Sequence, residues 1–284
     1  MGKVVIQDVS DTALWVAVYR ANETKRPDAL FRDPFAHRLV GERGRYIASK
    51  MSRSRYVSWS TVLRTHIIDN FFRELMGRGV DTVLNLGAGL DTRPYRLDLP
   101  SRLRWIEVDY PQINRLKEEE LGGEKPKCRL ERVAMDLTDR ELRRSFFRRI
   151  NGETKKAAIL TEGVTYYLTE EQVALLAQDL RAQNNFRFWI TDYFSPRTAL
   201  YMLIRKGMKE TKNAPYQFCP EDWFGFFAAV GWKALDIRYL GEESIRVRRR
   251  IPMLWWMKVV RLFLRKKVDG GALRTSAYVL LEPK

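Results

Sequence analysis

A short apolar run that ends in a glycine turn, within 82–89, is the feature of this sequence that most limits its fold. Val83, Leu84 and Leu86 form the kind of run that a buried parallel strand requires. The run ends at Gly87-Ala88-Gly89, where missing side chains let a ligand approach backbone N–H groups. The pattern therefore predicts a strand, a tight turn and a ligand at the carboxyl end of that strand.

A second apolar run, 105–108, ends in an acid. Asp109 lies 22 positions after Gly87, close to the spacing of about 20 residues at which a carboxylate meets a ribose hydroxyl in nucleotide-binding units. Glu107 is the second candidate for this role, and the alternative for it is a buried acid paired with an arginine. A dinucleotide fingerprint has a third glycine, and Thr92 stands at that position here. NAD therefore remains a possible cofactor only if another feature of the site compensates for the missing glycine.

Predicted strands and helices alternate after the first strand. Such alternation indicates an α/β fold, in which helices cover both faces of a mostly parallel sheet. The predicted strands are 83–86, 104–108, 129–133, 157–161 and 186–191, and the predicted helices between and after them are 111–120, 139–150 and 170–183.

The two ends of the chain add further elements. Helices are predicted over 10–21 and 28–40, with Ser10 and Asp28 as N-caps, and over 58–77, which carries an apolar stripe at helical spacing. Near the other end, the sequence predicts a helix from Pro220 to Val230 and strands over 232–239 and 276–281. About 36 residues separate these strands, where a hairpin needs only a few.

The chain has 284 residues and no linker-like tract, which predicts one domain over 1–284. Within it we expect an N-terminal helical cap (1–56), a cofactor-binding core (57–192) and acceptor-side additions (193–284) that contain a basic insertion, 242–272. Two cysteines and two histidines without ligand spacing predict neither a disulfide framework nor a metal site. The N-terminus does not match a signal peptide, so a cytoplasmic protein is expected.

Three sequence blocks together resemble a known family. They are Val83-Leu-Asn-Leu-Gly-Ala-Gly-Leu-Asp-Thr-Arg-Pro-Tyr-Arg-Leu97, Glu107-Val-Asp-Tyr-Pro111 and Thr161-Glu-Gly-Val-Thr-Tyr-Tyr-Leu-Thr-Glu-Glu-Gln172. Their order and spacing resemble the leucine carboxyl methyltransferase family, and more closely its bacterial branch of S-adenosylmethionine-dependent O-methyltransferases. The resemblance implies a Rossmann-like class I methyltransferase with a mostly parallel seven-stranded sheet, and S-adenosyl-L-methionine as the cofactor.

The resemblance also implies roles for individual residues. Gly87, Ala88 and Gly89 would approach the methionine portion and the ribose, and Asp109 would accept the ribose hydroxyls. Arg64 would pair with the cofactor's carboxylate, as a bidentate guanidinium can. Asp136 and Leu137 would hold the adenine, although Asp136 has an alternative role as a helix N-cap. Glu162 would contact the methionine end of the donor, where a negative charge suits a sulfonium and an ammonium.

The sequence indicates less clearly which residues would bind the molecule that accepts the methyl group. A carboxylate acceptor needs only orientation, whereas a hydroxyl acceptor must lose a proton. Tyr166, Tyr167 and Asp192 are the candidate catalytic residues, with Tyr193 beside them. His66 lies about 200° around its helix from Arg64 and so is a poor candidate base, and the other histidine, His37, is expected on a helix surface.

The net charge of +16 is concentrated in a basic segment, 244–267, which contains nine Lys/Arg residues and no acid. Its stretch 251–267 is amphipathic and too short and charged to span a bilayer. It fits a helix docked on the sheet edge, a lid over an apolar substrate, or a helix at an anionic membrane surface. Nucleic-acid binding is a minority interpretation, because no RNA-binding motif accompanies the charge.

Together these features predict an enzyme that transfers a methyl group to a carboxylate or acidic hydroxyl of a hydrophobic small molecule. The first alternative is a methyltransferase that acts on a protein's C-terminal carboxylate. The second is an RNA- or lipid-associated binding protein that has retained the fold. The oligomeric state is not indicated by the sequence.

Overall fold

The computed structural model of this chain describes residues 9–50, 54–196, 198, 216–252 and 273–284. Its centre is a seven-stranded sheet with the order β3-β2-β1-β4-β5-β7-β6, in which β7 alone runs antiparallel to its neighbours. The strands are β1 Thr82–Leu86, β2 Arg104–Asp109, β3 Arg129–Ala134, β4 Ala157–Thr161, β5 Phe186–Phe194, β6 Trp232–Tyr239 and β7 Ser276–Pro283. This order confirms the predicted mostly parallel α/β sheet.

The helices lie before the sheet, in its crossovers and after it. In chain order they are α1 Val9–Thr24, α2 Ala36–Lys50, α3 Ser54–Gly77, α4 Arg93–Arg96, α5 Pro111–Leu121, α6 Arg140–Glu153, α7 Glu170–Arg181, α8 Trp223–Ala229 and α9 Leu240–Arg246. A single 3₁₀ turn, Thr165–Tyr167, follows β4. Each crossover between parallel strands therefore brings a helix back across one face of the sheet.

Two apolar layers sandwich the sheet. On one face the stripe of α3, which includes Ile67, Phe71 and Phe72, packs against β1, β2 and β7. On the other face α6, α7 and α8 pack against the alternate residues of the same strands, such as Leu84 and Ile106. Strand β1 is buried along its whole length, because helices cover both of its faces.

The N-terminal predictions need correction. The helix expected over 28–40 begins only at Ala36, whose amide donates to Asp33 Oδ1, so Asp33 and not Asp28 holds its first turn. Gly41 (φ +55°) then kinks α2. Ser10 lies inside α1 and is not its N-cap. For α2, both Asp28 and Asp33 precede the helix, and local sequence does not decide which of them caps.

The insertion between β6 and β7 begins with α9, and most of the predicted amphipathic stretch, 251–267, lies outside the described residues. Two arginines of the basic segment are already paired: Arg246 with Glu243, and Arg249 with Glu23 and Asp28. Among the described residues, no helix has both the length and the apolar character needed to cross a bilayer. Peripheral membrane contact through this segment stays a prediction.

Candidate functional site

The glycine turn after β1 uses its own amides internally. Gly87 N and Ala88 N both donate to the Val108 carbonyl, at 2.8 and 3.2 Å, and Gly89 N donates to Asp109 Oδ2 at 2.6 Å. These three N–H groups are therefore already hydrogen-bonded within the protein, and what the turn offers a ligand is a surface without side chains. A pyrophosphate would need free amides, whereas a ligand that needs only a side-chain-free surface does not. The turn consequently favours a mononucleoside over a dinucleotide.

The shape of this turn requires glycine at two positions. Gly87 and Gly89 have φ values of +68° and +50°, in the left-handed region where a Cβ is strained. A Cβ on Gly87 would also lie 2.5 Å from Val164 Cγ2, and a Cβ on Gly89 would lie 3.4 Å from the Cβ of Ala13 in α1. The loop after β4 and the N-terminal helix thus both approach the turn closely.

Asp109 ends β2 directly beside the turn. Its Oδ2 accepts from Gly89 N, and its Oδ1 accepts from Tyr110 N at 2.7 Å. A carboxylate has about four lone-pair sites, so both oxygens retain capacity to accept from the two hydroxyls of a ribose. Burial raises the pKa of Asp109, and the two amide hydrogen bonds partly oppose this shift. Further hydrogen-bond donors from a bound ligand would stabilise the charged form.

Glu107 has a different role. It is fully buried, and its oxygens lie 2.7 Å from Lys117 Nζ and 3.1 Å from Arg132 Nε. The alternative interpretation, a buried acid paired with an arginine, is confirmed, and sequence reasoning missed Lys117. Burial raises the pKa of Glu107, and the two cations oppose this shift.

Arg64 and Glu162 face one another beside the turn. Arg64 Nε lies 2.9 Å from Glu162 Oε1 without a hydrogen bond of acceptable angle, so a buried donor is left unmatched. Glu162 Oε2 also accepts from Arg93 Nη1 at 2.8 Å. Burial acts to lower the pKa of Arg64, but Glu162 and neighbouring tyrosines raise it overall. The terminal nitrogens of Arg64 make no hydrogen bond within the described residues, which leaves them for an anionic ligand.

A buried charge network beneath this pair escaped sequence reasoning. Arg93, 1% exposed, donates to Asp69 Oδ1 (2.7 Å), Asp91 Oδ2 (2.8 Å) and Glu162. Arg96 binds the other side of Asp69. The closely spaced charges of Asp91-Thr-Arg-Pro-Tyr-Arg96 were a sequence signal for such a network. Only the fold shows that Asp69 of α3 pairs with both arginines. The network fixes α3, the turn and Glu162 relative to one another.

Asp136 and Leu137 follow β3 at the same edge of the sheet. Asp136 Oδ1 accepts from Thr138 N and Thr138 Oγ1, and Asp139 is the N-cap of α6. The N-cap alternative for Asp136 is therefore wrong. The half-exposed Tyr110 phenol hydrogen-bonds to Asp136, so an aromatic ring and a carboxylate meet between the ends of β2 and β3. Sequence reasoning did not single out Tyr110, although its position directly after Asp109 was a usable signal.

The acceptor candidates cluster around the ends of β4 and β5. The rings of Tyr166 and Tyr167 are 4.5 Å apart, and Tyr216 lies 4.9 Å from Tyr166. Burial raises the pKa of both Tyr166 and Tyr167, which makes either tyrosine a poor proton acceptor at neutral pH. Asp192 accepts from Thr165 Oγ1 at 2.8 Å and from Gly163 N at 3.2 Å.

A pocket opens beside these residues. Its wall is aromatic, and Asp192 is its charged group; the rings are those of Tyr166, Phe194, Phe218 and Trp223. Burial raises the pKa of Asp192 to about 6, against its hydrogen bonds from Thr165 and Gly163. The site thus places a carboxylate of perturbed pKa among aromatic rings, an arrangement that marks it as a candidate functional site.

The two remaining candidates, His66 and Tyr193, do not line this pocket. His66 Nε2 lies 3.1 Å from Glu243 Oε1, as expected if His66 and Arg64 point in different directions. Tyr193 packs on Trp223 and Phe224. Within the described ranges, no trio of His, Cys, Asp or Glu side chains is arranged to hold a metal ion.

The first helix, which belongs to the expected N-terminal helical cap, lies over the site. Thr12 of α1 hydrogen-bonds to the Tyr167 phenol, and Arg20 donates to the Leu90 carbonyl just after the glycine turn. Together with the approach of Ala13 to Gly89, these contacts place α1 over the carboxyl edge of the sheet.

Comparison with known proteins identifies the family. The family model for leucine carboxyl methyltransferase matches residues 13–181, more than half of the chain. A protein of Streptomyces avermitilis is 34% identical over 255 residues, covering 84% of this chain and 88% of its own. One from Mycobacteroides abscessus is 32% identical over 193 residues, 62% of each chain. Both carry the name "Putative S-adenosyl-L-methionine-dependent methyltransferase".

Solved structures support the same fold. A structure titled as a putative methyltransferase from Thermobifida fusca superposes with a TM-score of 0.58 at 14% identity, covering 98% of this chain and 95% of that one. Together with the sheet order, this confirms the Rossmann-like methyltransferase fold. The chain therefore belongs to the leucine carboxyl methyltransferase family, and it is an S-adenosyl-L-methionine-dependent methyltransferase.

Proposed function

We propose that this enzyme methylates an oxygen of a hydrophobic small molecule, either a carboxylate or an acidic hydroxyl. The observation that carries the proposal is the aromatic pocket at the ends of β4 and β5. Its residue Tyr166 directly follows the loop that bears Glu162, so the pocket adjoins the site proposed for the methionine end of the cofactor. Rings on several sides favour an apolar acceptor, because they offer it a large contact surface and few polar partners.

The described residues fit S-adenosylmethionine. Arg64 suits the methionine carboxylate, because its Nε is unmatched and its terminal nitrogens make no hydrogen bond within the described residues. Glu162 would attract the ammonium, and Asp109 would accept from the ribose hydroxyls. Tyr110 and Asp136 meet where an adenine would lie, and the glycine turn removes the side chains that would block the ligand. When bound, the cofactor supplies a methyl group on a positively charged sulfur.

The protein's own contribution is mainly positioning. Arg93 and Asp69 hold Glu162 and α3 in place, so that donor and acceptor pockets keep a fixed separation. Helix α1 covers the turn and is tied to Tyr167 through Thr12, which helps exclude water from the reacting atoms. A carboxylate acceptor would need only this orientation, whereas a hydroxyl would also need a proton acceptor.

The alternative functions are weighed against the same residues. A protein C-terminal carboxylate would need an open groove, whereas the aromatic pocket suits a compact ligand. An RNA- or lipid-binding protein without activity would have no need to keep Arg64, Asp109 and Glu162 clustered at one edge. Contact of the basic segment with an anionic membrane is compatible with the proposed activity and does not replace it.

The first test is calorimetric titration with S-adenosylmethionine, S-adenosylhomocysteine and NAD in parallel. We expect micromolar binding of the first two and none of NAD. Arg64→Met should weaken S-adenosylmethionine binding at least about tenfold, because a charge-assisted hydrogen bond contributes about 1.5–3 kcal/mol. Arg73→Met is the matched control, since Arg73 is exposed, lies on the same helix and donates a hydrogen bond to Asn70. Equal effects of the two variants would contradict the Arg64 assignment.

The acceptor is then sought with a radiolabelled methyl donor. The panel contains hydrophobic phenols, aromatic and aliphatic carboxylic acids, and a peptide that ends in a free leucine carboxylate. Transfer to one of the small molecules supports the proposal. Transfer to the peptide alone would favour the protein carboxyl alternative, and cofactor binding without transfer to any panel member would refute the proposed acceptor class.

A further inference from the structure

The carboxylate of Asp192 is the charged group of the aromatic pocket. Asp192 is 3% exposed and lies on β5, opposite Tyr278 of the antiparallel β7. Its hydrogen bonds come from Thr165 and Gly163, which leaves lone pairs on both oxygens. An acceptor molecule in the pocket can therefore donate a hydrogen bond to this side chain.

The charges around Asp192 disfavour an anionic acceptor. In the described part of the chain, no Lys, Arg or His forms an ion pair with Asp192. Arg64 is the cation whose field reaches it, and Arg64 already faces Glu162 at 2.9 Å. A carboxylate acceptor would place a second negative charge directly beside Asp192, whereas a neutral hydroxyl would not. Such repulsion is costly in a buried site, so a neutral acceptor fits better.

Building on the proposed function, we propose that the acceptor is a hydroxyl on an aromatic ring and that Asp192 takes its proton. As the acceptor oxygen bonds to the methyl carbon, the sulfur–carbon bond breaks and its electron pair stays on sulfur. The O–H proton moves to Asp192. The products are a methyl ether, S-adenosylhomocysteine and protonated Asp192, which then releases its proton to water. Arg64 and the donor sulfonium favour the developing phenolate.

The tyrosines that surround Asp192 do not compete for this role. Tyr166, Tyr167 and Tyr216 keep their protons because burial raises the pKa of each phenol, and the same holds for Tyr278. The Asp192 carboxyl, with a pKa of about 6, is ionised at neutral pH and is a stronger base than an ordinary aspartate. Activity should therefore fall as the pH drops below about 6.

The test compares Asp192→Asn with the unchanged enzyme on two phenols of different acidity, para-cresol and para-nitrophenol. An Asn can still accept from Gly163 N and contact Thr165, so folding and cofactor affinity should be retained. Loss of a general base should lower kcat for para-cresol at least about a hundredfold. The loss should be much smaller for para-nitrophenol in mildly alkaline buffer, because that phenol is already ionised. Asp236→Asn, on β6, is the matched control.

A second readout does not depend on turnover. With S-adenosylhomocysteine bound, the absorbance of para-nitrophenol reports its ionisation in the pocket. A neighbouring Asp192 carboxylate should raise the apparent pKa of the bound phenol, and Asp192→Asn should lower it by about one unit or more. An unchanged pKa in the variant would overturn the assignment of Asp192.

The remaining outcomes separate this inference from the proposed function. Equal losses on both phenols would mean that Asp192 has only a structural role. Preferred transfer to benzoate or to para-toluidine, or no transfer to any phenol by a protein that binds S-adenosylhomocysteine, would overturn the phenol assignment alone. Failure to bind S-adenosylmethionine would instead remove the basis of the proposed function.

Discussion

Replacing Gly87 by alanine tests the geometry of the cofactor turn. The left-handed backbone at φ +68° would cost an alanine about 1–2 kcal/mol. The new Cβ would also lie 2.5 Å from Val164 Cγ2, and the β-branched Val164 side chain rotates only with difficulty. Overpacking of this kind adds about 1–3 kcal/mol. We therefore expect Gly87→Ala to lower the free energy of unfolding by about 2–5 kcal/mol.

Two comparison variants separate these contributions in urea unfolding. Gly89→Ala has a similar backbone strain (φ +50°) but an ordinary contact of 3.4 Å with Ala13, so it should cost only about 1–2 kcal/mol. Val164→Ala in the Gly87→Ala background should recover about 1 kcal/mol or more beyond additivity. If Gly87→Ala costs no more than Gly89→Ala, or if Val164→Ala recovers nothing, the deduced close contact is wrong.

Three further variants test individual charges. Asp109→Ala should weaken S-adenosylmethionine binding at least tenfold, about 1.4 kcal/mol, and unchanged calorimetric affinity would exclude the ribose assignment. Arg93→Met should cost about 3–5 kcal/mol of stability because it leaves buried carboxylates unpaired, whereas the more exposed Arg104→Met should cost about 0–1 kcal/mol in the same denaturation assay. The pKa of Asp192 is about 6 in the folded protein and about 4 in the unfolded chain. As the pH falls, the folded protein therefore takes up this proton at a higher pH than the unfolded chain does. Unfolding free energy should thus rise by about 2–3 kcal/mol between pH 7 and pH 4 from this group, and a pH series in which Asp192→Asn keeps that rise would contradict the assignment.

The predictable part of the fold was the part encoded by local patterns. The apolar run predicted as the first strand, 83–86, lies within β1, and the helices over 58–77 and 170–183 were predicted to within a few residues of each end. The helix predicted over 28–40 was misplaced, because several acidic residues competed as caps and the burial of Asp33 decided between them.

The candidate site was predictable only in outline. Asp109, Glu162 and Asp192 were selected because each follows a strand, and parallel strands bring their carboxyl ends to one edge. Glu107 and Asp109 share a strand face, yet one is paired internally and the other faces the turn. Sequence spacing could not show which of the two acids is paired within the protein, because Lys117 and Arg132 reach Glu107 from other elements. The occupied amides of the turn were hidden from the sequence for the same reason.

The sequence by itself determined the sheet, the family and the edge at which the cofactor site is proposed, because hydrophobic period, glycine turns and acidic strand ends are local features. Tertiary structure alone decided which charges are paired, that Arg93 is buried among carboxylates, and that α1 covers the turn. It also decided that Asp192 lies in an aromatic pocket. These properties depend on residues far apart in the chain, and the energy of a charge is set by whatever surrounds it after folding.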